Sequence, residues 1–197
     1  MSGRVMRAIG LIVTAGLALS ACTGSPGDPE ASASSADDPT PVVSASPSPT
    51  APAKPERPEA MNHKDAEGAA AAAEYFIELY PYVMATGDVE EFEAMSHRAC
   101  GFCADALEQA ARIQDSAWVY TGGESSLSVS QTYLRDGVTG IIPIDVEISQ
   151  QSSRIADRGG EEIYSVDSKV FDRRVEMGRK HGEWVVVTIA PVPKADR

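Results

Sequence analysis

The amino-acid sequence predicts an α+β domain in which three N-terminal helices pack on a curved antiparallel sheet of about four to five strands. Apolar residues recur at helical spacing up to Asp115, and from Ser116 onward the apolar period shortens from about 3.6 residues to about 2. Turn signals then divide the second half of the chain into segments of strand length. Helices followed by strands in this order are typical of the α+β class.

The first predicted helix covers residues 65–85. Asp65 is placed to cap its N-terminus. Its apolar face consists of Ala72, Phe76, Leu79, Tyr80 and Val83. Pro81 lies inside this pattern and removes a backbone hydrogen bond, so we expect a kink near residues 77–79, or a helix that ends there and restarts.

Two shorter helices are predicted after Gly87. Asp88, with Glu91 three residues later, resembles a capping box that starts a helix reaching about Met95. A third helix is expected from about Gly101 to Asp115, since its apolar residues again share one face.

The clearest predicted strand follows the hairpin signal Asp136-Gly137. Its inward side chains are expected to be Val138, Ile142, Ile144, Val146 and Ile148. Pro143 points outward and cannot donate to a neighbouring strand, which predicts an edge strand or a bulge.

The rest of the sheet is predicted from alternation and glycines. Residues 150–160 form a polar loop, and residues 163–177 form one long strand. Its inward positions change phase, which predicts a bulge between Ser168 and Phe171. A final strand covers residues 183–191.

This domain is expected to occupy residues 61–197, which is long enough for one hydrophobic core. The chain has 29 acidic and 17 basic residues and a net charge of −12. An acidic surface repels phosphate backbones, so nucleic acid is not an expected partner. No sequence pattern indicates a cofactor.

Residues 1–21 have the features of a signal peptide. Arg4 and Arg7 precede the apolar run Ala8–Leu19, which is shorter than the ~20 residues needed to span a bilayer. Residues 22–60 are predicted to be a disordered tether, because they are rich in Pro, Ser and Ala and poor in large apolar residues.

The tetrapeptide Leu19-Ser20-Ala21-Cys22 resembles the lipobox of bacterial lipoproteins. The resemblance implies cleavage before Cys22 and a lipid on its thiol. That lipid would anchor the protein to the membrane, on the outer face of the cytoplasmic membrane. Ordinary signal cleavage after Ser20 is the alternative.

Two further resemblances concern the folded domain. The order of elements, with Gly182-Glu183-Trp184-Val185-Val186 in the last strand, resembles the cone-like domains of the nuclear transport factor two-like superfamily. Three segments, 55–58, 75–80 and 96–103, resemble an uncharacterised family of actinobacterial lipoproteins. The second resemblance implies an architecture and a location, and no activity.

Cys100 and Cys103 are the two cysteines left once Cys22 carries a lipid. An even pair outside the cytoplasm is expected to form a disulfide. It could be a structural clip, a thiol–disulfide exchange site, or part of a metal site with His97. The clip is favoured, because no strand precedes Cys100 as in thioredoxin-like proteins and no fourth metal ligand is evident, so no metal site is predicted.

The sequence contains no recognisable catalytic set. The three histidines fall in connections, at His63, His97 and His181. Side chains that could reach a pocket are Tyr75, Tyr80, Tyr82, Asp145 and Asp167, although such residues more often belong to the core or the surface. We therefore expect a non-enzymatic domain that binds a cell-envelope protein or a small apolar ligand. The alternatives are an isomerase or dehydratase, and an extracytoplasmic redox protein.

Overall fold

The computed structural model describes residues 52–194, so the predicted signal peptide, Cys22 and most of the predicted tether lie outside the described residues. A 3-10 turn, Glu59–Asn62, comes first. The helices are α1 (Ala66–Thr86), α2 (Glu90–Ala94) and α3 (Gly101–Asp115). The strands are β1 (Val119–Gly122), β2 (Ser125–Thr132), β3 (Ile142–Gln150), β4 (Ser153–Ala156), β5 (Glu162–Val166), β6 (Lys169–Lys180) and β7 (Glu183–Ala190). Over this range, no helix has the length and apolar character needed to cross a bilayer.

Helix α1 begins and ends at local signals. The Asp65 carboxylate accepts hydrogen bonds from the backbone N–H groups of Glu67 and Gly68. The helix ends at Gly87, which has a φ of 73°. Pro81 does not divide it, so the expected restart is absent from this segment. The ring of Pro81 is itself buried, and this packing offsets the missing hydrogen bond.

The other helices match the prediction to different degrees. Helix α3 spans Gly101–Asp115, the predicted range. Helix α2 has Val89 at its N-cap and no side-chain cap, so the predicted capping box does not form. The Asp88 carboxylate instead accepts a hydrogen bond of 2.7 Å from the hydroxyl of Tyr82.

The predicted fold class, three helices on a single sheet of four to five strands, is wrong. The seven described strands form two antiparallel sheets, one in the order β1-β4-β5 and one in the order β2-β3-β6-β7. Strand β4 lies inside the segment predicted as a polar loop. The predicted long strand is broken at residues 167–168 into β5 and β6, which belong to different sheets.

Three two-residue connections carry the chain from one sheet to the other, at residues 123–124, 151–152 and 167–168. The first is made by glycines: Gly122 and Gly123 have φ values of 74° and 81°. A Cβ on Gly122 would lie 2.2 Å from the Ser152 carbonyl oxygen, which accepts the Gly123 N–H at 3.0 Å. These glycines therefore allow the two chain segments to approach at a sharp corner.

Strand β3 begins later than predicted, at Ile142. Val138, predicted to face inward, is 95% exposed. It lies in a loop closed by the Asp136 carboxylate, which accepts the backbone N–H groups of Val138 and Thr139. These hydrogen bonds stabilise the loop, so β3 does not extend back to Val138.

Pro143 does not place β3 at an edge, because β3 lies between β2 and β6. The Pro143 carbonyl accepts the N–H of Tyr133, and β2 has already ended at Thr132. The backbone N–H that proline lacks would point toward Tyr133, beyond the end of β2. Its absence therefore removes no hydrogen bond between the residues of β2 and β3.

The core lies between α1 and the inner face of the four-stranded sheet. Directly paired inward residues include Ile142 with Met177, and Ile144 with Val175. All four are at most 2% exposed. Helix α2 adds Phe92, whose ring stacks on Phe76 of α1 at a centroid distance of 4.2 Å.

Strand β7 holds the chain that leads into α1. The buried Trp184 indole N–H donates to the carbonyl oxygens of Met61 and His63, at 3.0 and 3.1 Å. Upstream, Lys54 pairs with Glu91 at 3.0 Å, and Arg57 reaches Glu183 at 2.9 Å. Residues 52–63 are thus attached to the domain by one buried anchor and several exposed ion pairs.

Trp184→Phe is expected to lower the free energy of unfolding by about 2–3 kcal/mol. It removes the N–H that both carbonyls share and leaves a smaller ring in a fully buried site. Urea denaturation measures the loss. Trp118→Phe is the matched control, since Trp118 is half-buried and should cost under about 1 kcal/mol. Equal losses in the two variants would contradict the anchor.

Candidate functional site

A cavity of about 220 Å³, the main chamber, lies between α1 and the inner face of the four-stranded sheet. Its apolar lining consists of Ile77, Phe102, Ile148, Phe171 and Ile189. Its polar lining consists of Tyr80, Ser125, Gln150, Lys169 and Arg173. A partly open space with an apolar side and several polar groups has the features of a small-molecule site.

Strand register explains how the sheet forms this chamber. Residues directly opposite one another on neighbouring antiparallel strands point to the same face. The inward row nearest the corner is polar, with Ser125 opposite Gln150 and Gln150 opposite Lys169. The next inward row is apolar, with Leu127, Ile148 and Phe171. The sheet therefore changes from an apolar floor to a polar rim along its inner face.

Two cations occupy inward positions of β6 and flank one aromatic ring. The Lys169 ammonium lies 5.1 Å from the Phe171 ring centroid, and the Arg173 guanidinium carbon lies 4.6 Å from it. Within residues 52–194, neither cation has a carboxylate oxygen within 4.0 Å. The Arg173 guanidinium donates to the Asp172 carbonyl at 2.8 Å. Most of their N–H donors are therefore available to a ligand.

A second chamber of about 210 Å³ lies at the corner between the two sheets. It shares Tyr80, Gln150 and Lys169 with the main chamber. The Tyr80 hydroxyl donates to Gln109 at 3.0 Å, and burial raises the pKa of Tyr80 to about 12. The hydroxyl therefore stays protonated near neutral pH.

The ring of Tyr120 also lines the second chamber. Its hydroxyl is buried, has no hydrogen-bond partner among residues 52–194, and lies against Gly123, beside the Ser153 side chain. Burial raises the pKa of Tyr120, and Ser153 opposes that rise. Because a Cβ on Gly123 would lie 2.0 Å from this hydroxyl, Gly123 also makes room for the tyrosine.

A wider groove of about 550 Å³ runs between α3 and β5. Its apolar residues include Ile155 and two strongly exposed side chains, Ile163 and Tyr164, which are 44% and 57% exposed. Asp105 and Glu108 lie along its α3 side. A groove whose walls are this open to water encloses a small ligand poorly, so the main chamber is the better candidate site.

Of the five candidate pocket residues, Tyr80 lines the two chambers and the others do not. Tyr75 is fully buried, and burial together with the nearby Glu91 carboxylate raises its pKa. Tyr82 bonds to Asp88, and Asp167 is exposed between β5 and β6. The three histidines do not belong to either lining.

Asp145 lies on the outer face of the sheet, away from the main chamber. Its carboxylate accepts two hydrogen bonds from Arg174, at 2.7 and 2.8 Å, and one from the Tyr133 hydroxyl at 2.8 Å. The bonds from Arg174 hold the pKa of Asp145 below its ordinary value, although partial burial opposes them. This bidentate pair joins β3 to β6 and has a structural part in the sheet.

Cys100 and Cys103 form a disulfide at the start of α3, with their sulfur atoms 2.02 Å apart. Cys100 is the N-cap residue, and its sulfur accepts the Cys103 N–H at 3.2 Å. The two residues are 2% and 1% exposed, which keeps an attacking thiolate away from the bond. This burial favours a structural clip over an exchange site.

Two histidines, His97 and His63, lie near other possible metal ligands, but the surroundings of neither one favour metal binding. His97 Nδ1 accepts the Ala99 N–H at 3.2 Å, so this nitrogen is engaged in a local hydrogen bond. In the described part of the chain, His63, Asp65 and Glu67 place ligand atoms within 4.8 Å of one another, but all three are exposed. Asp65 is already engaged as the cap of α1.

Sequence reasoning missed Lys169 and Arg173 as site residues. The signal was present in the alternation along β6. Phe171, Val175 and Met177 are odd-numbered and point inward, and Lys169 and Arg173 are odd-numbered as well. Two cations on the inward phase of a strand indicate that the apolar core ends there, at solvent, an ion pair or a cavity.

Comparisons with known proteins identify a family and a fold. A model of a family of unknown function (DUF6318) matches residues 44–190, in agreement with the expected uncharacterised family. It does not address the expected lipid anchor or the likeness to nuclear transport factor two. A search of curated protein sequences found no match.

Similar solved structures include the intermembrane space region of the chloroplast protein ARC6, with 12% identity and a TM-score of 0.51. That alignment covers 65% of this chain and 98% of the ARC6 chain, and it indicates a shared fold. Aln2 from a Streptomyces species aligns with 12% identity and a TM-score of 0.33, over 58% of this chain and 82% of the other, and supports no further comparison.

Asp145→Asn is expected to lower the free energy of unfolding at pH 6 by roughly 1–3 kcal/mol, because it removes a charged acceptor from Arg174. The folded-state pKa of Asp145 is depressed, so its contribution is present above the unfolded value of about 3.9 and is lost as the pH falls through the folded value. Urea denaturation at pH 6 and pH 2.5 should show the wild-type advantage shrinking at the lower pH.

The control for this pair is Asp172→Asn, an exposed aspartate on β6. It should change stability by less than about 0.5 kcal/mol at pH 6. An advantage of Asp145 that is the same at both pH values would show that the ion pair is not its source.

Proposed function

We propose that this chain, which belongs to a family of unknown function (DUF6318), is a membrane-anchored extracytoplasmic binding protein whose main chamber takes a small, largely apolar molecule. A lipid on Cys22 would hold it at the outer face of the cytoplasmic membrane. The observation that carries the binding role is the main chamber itself, an apolar space of about 220 Å³ at the edge of the core.

The apolar wall supplies the driving force for binding. Isoleucines from α1, β3 and β7 (Ile77, Ile148 and Ile189) converge on one space with two phenylalanine rings. Burial of apolar surface contributes about 25 cal/mol per Å², so a molecule that fills this space gains free energy in proportion to the area it covers. The chamber is smaller than the ~300–1,000 Å³ typical of drug-sized ligands, which favours a small one.

The hydroxyl groups of the chamber suit binding better than catalysis. The Tyr80 hydroxyl is protonated and donates to Gln109. The Ser125 hydroxyl donates to the Gly123 carbonyl at 3.0 Å. A nucleophilic serine needs a base that accepts its proton, and a backbone carbonyl cannot do so.

The proposed location rests on the sequence. The positive residues Arg4 and Arg7, the short apolar run and the Leu19–Cys22 lipobox agree with one another. Residues 23–51 would then separate the lipid from the folded domain. A single lipid chain gives weak anchoring, whereas the diacylglycerol implied by a lipobox gives two chains.

Cys22→Ala is expected to abolish incorporation of a labelled fatty acid and to release the chain from the membrane fraction. The change removes the thiol that would carry the lipid. Metabolic labelling followed by electrophoresis measures it, with a Cys100→Ala, Cys103→Ala chain as the control that should keep its label. Label retained in the Cys22→Ala chain would overturn the proposed anchor.

Titration of the unacylated Cys22→Ala chain with 1-hexanol should shift the methyl NMR signals of Ile77, Ile148 and Ile189 together, because all three line the main chamber. Ile189→Phe, which fills part of that space, should raise the hexanol Kd at least tenfold. Ile163→Phe, on the exposed groove, is the matched control and should leave the Kd unchanged. Hexanol shifts centred on Ile163, or none at all, would overturn the binding role.

A further inference from the structure

We infer that the ligand of the main chamber is a small anionic amphiphile, whose acidic group binds Lys169 and Arg173 while its apolar part fills the space under α1. This inference rests on the proposed binding function and specifies its ligand class. The cations, the aromatic ring between them and the apolar wall belong to one continuous surface.

The position of the two cations on β6 is the first argument. Inward residues of this strand run from Met177 and Val175, which are fully buried, to Arg173, Phe171 and Lys169. Solubility alone would place a cation on the outer face, where Asp172 and Arg174 lie. Lys169 is exposed and Arg173 is half-buried, so this end of the inner face is open to water and an anion can enter there.

The shared position of the two cations over one aromatic ring is the second argument. The chain has an excess of acidic residues and a net charge of −12. Five other cations form ion pairs with acidic side chains: Lys54, Arg57, Arg112, Arg154 and Arg174. Lys169 and Arg173 are two of nine described Lys and Arg residues without such a pair, and they differ from the others in lying over one shared ring, that of Phe171. A cation–π contact holds a cation in place without using its N–H donors.

The two head groups converge although their backbones do not. Residues four apart on a strand have Cα atoms about 13 Å apart at ~3.3 Å per residue. Each head group nevertheless lies within about 5 Å of the same ring centroid. The two head groups are therefore at most about 10 Å apart, beside the same ring. The planar guanidinium can bind a carboxylate or phosphate through two hydrogen bonds.

The two chambers define the orientation and size of the ligand. Lys169 and Tyr80 line both, and the second chamber adds the polar groups of Gln109 and Ser153. The acidic end should therefore face the corner and the apolar end should face Ile77 and Ile189. At ~30 Å³ per water molecule, the main chamber has the volume of about seven waters, which suits an acid with a short chain.

The test compares hexanoate with 1-hexanol on the unacylated Cys22→Ala chain, using methyl NMR titration. The two probes share a six-carbon chain and differ in charge. Hexanoate should bind at least tenfold more tightly, since it gains charge-assisted hydrogen bonds. Adding Lys169→Met and Arg173→Met should remove that preference, so that the variant binds hexanoate no more tightly than it binds hexanol. A dispersed methyl spectrum shows that the variant is folded.

Lys180→Met is the matched control. Lys180 lies at the far end of the same strand and outside both chambers, so the hexanoate preference should persist. A hexanoate Kd equal to that of hexanol, or a preference that survives loss of both Lys169 and Arg173, would overturn the anionic ligand but not the binding role. If neither probe binds, the proposed function itself fails.

A membrane lipid could also present an anion, and vesicles distinguish the two sources. Phosphatidylglycerol vesicles should leave the hexanoate Kd unchanged, as should phosphatidylcholine vesicles, because the small chamber does not admit a long acyl chain. A hexanoate Kd that rises tenfold with phosphatidylglycerol alone would identify a lipid head group as the anion and overturn the free amphiphile.

Discussion

The packing of α1 against the inner face of the four-stranded sheet is the interaction on which the rest of the structure depends. Toward the floor of the sheet, α1 covers fully buried residues such as Ile144 and Val175 and completes the core. Toward the corner, the same helix forms the roof of the main chamber through Ile77 and Tyr80. Core and site are therefore two ends of one helix–sheet interface, and a change that shifts α1 should affect stability and binding together.

The corner between the two sheets shapes the polar end of this helix–sheet interface. Gly122 and Gly123 let the chain bend beside Ser152, and the small sheet then faces α3 with Tyr120 and Ile155. Without the corner, the row of inward residues that contains Lys169 would lie at an open end of the sheet. With it, hydroxyl and amide groups of both sheets line the polar end of the chamber beside the exposed Lys169.

The sequence predicts the helices better than the sheet, and the reason is physical. Helix α3 and the Asp65 cap of α1 depend on residues within one or two turns, so local patterns identify them. Strand pairing is non-local: residues 150–160 have the composition of a polar loop although they contain β4, and nothing local separates the predicted bulge near Ser168 from a change of sheet. Of the candidate pocket residues, Tyr80 could be found from its helix face, whereas the position of Lys169 and Arg173 required the register of β6 against β3.

The central claim is that the apolar part of a small acid occupies the space under α1. Intermolecular nuclear Overhauser effects between hexanoate and isoleucine methyl groups test it most directly. The account predicts contacts from the hexanoate chain to Ile77, Ile148 and Ile189, with the carboxylate end nearest β6. Contacts to Ile155 and Ile163 instead, in the groove between α3 and β5, would contradict it.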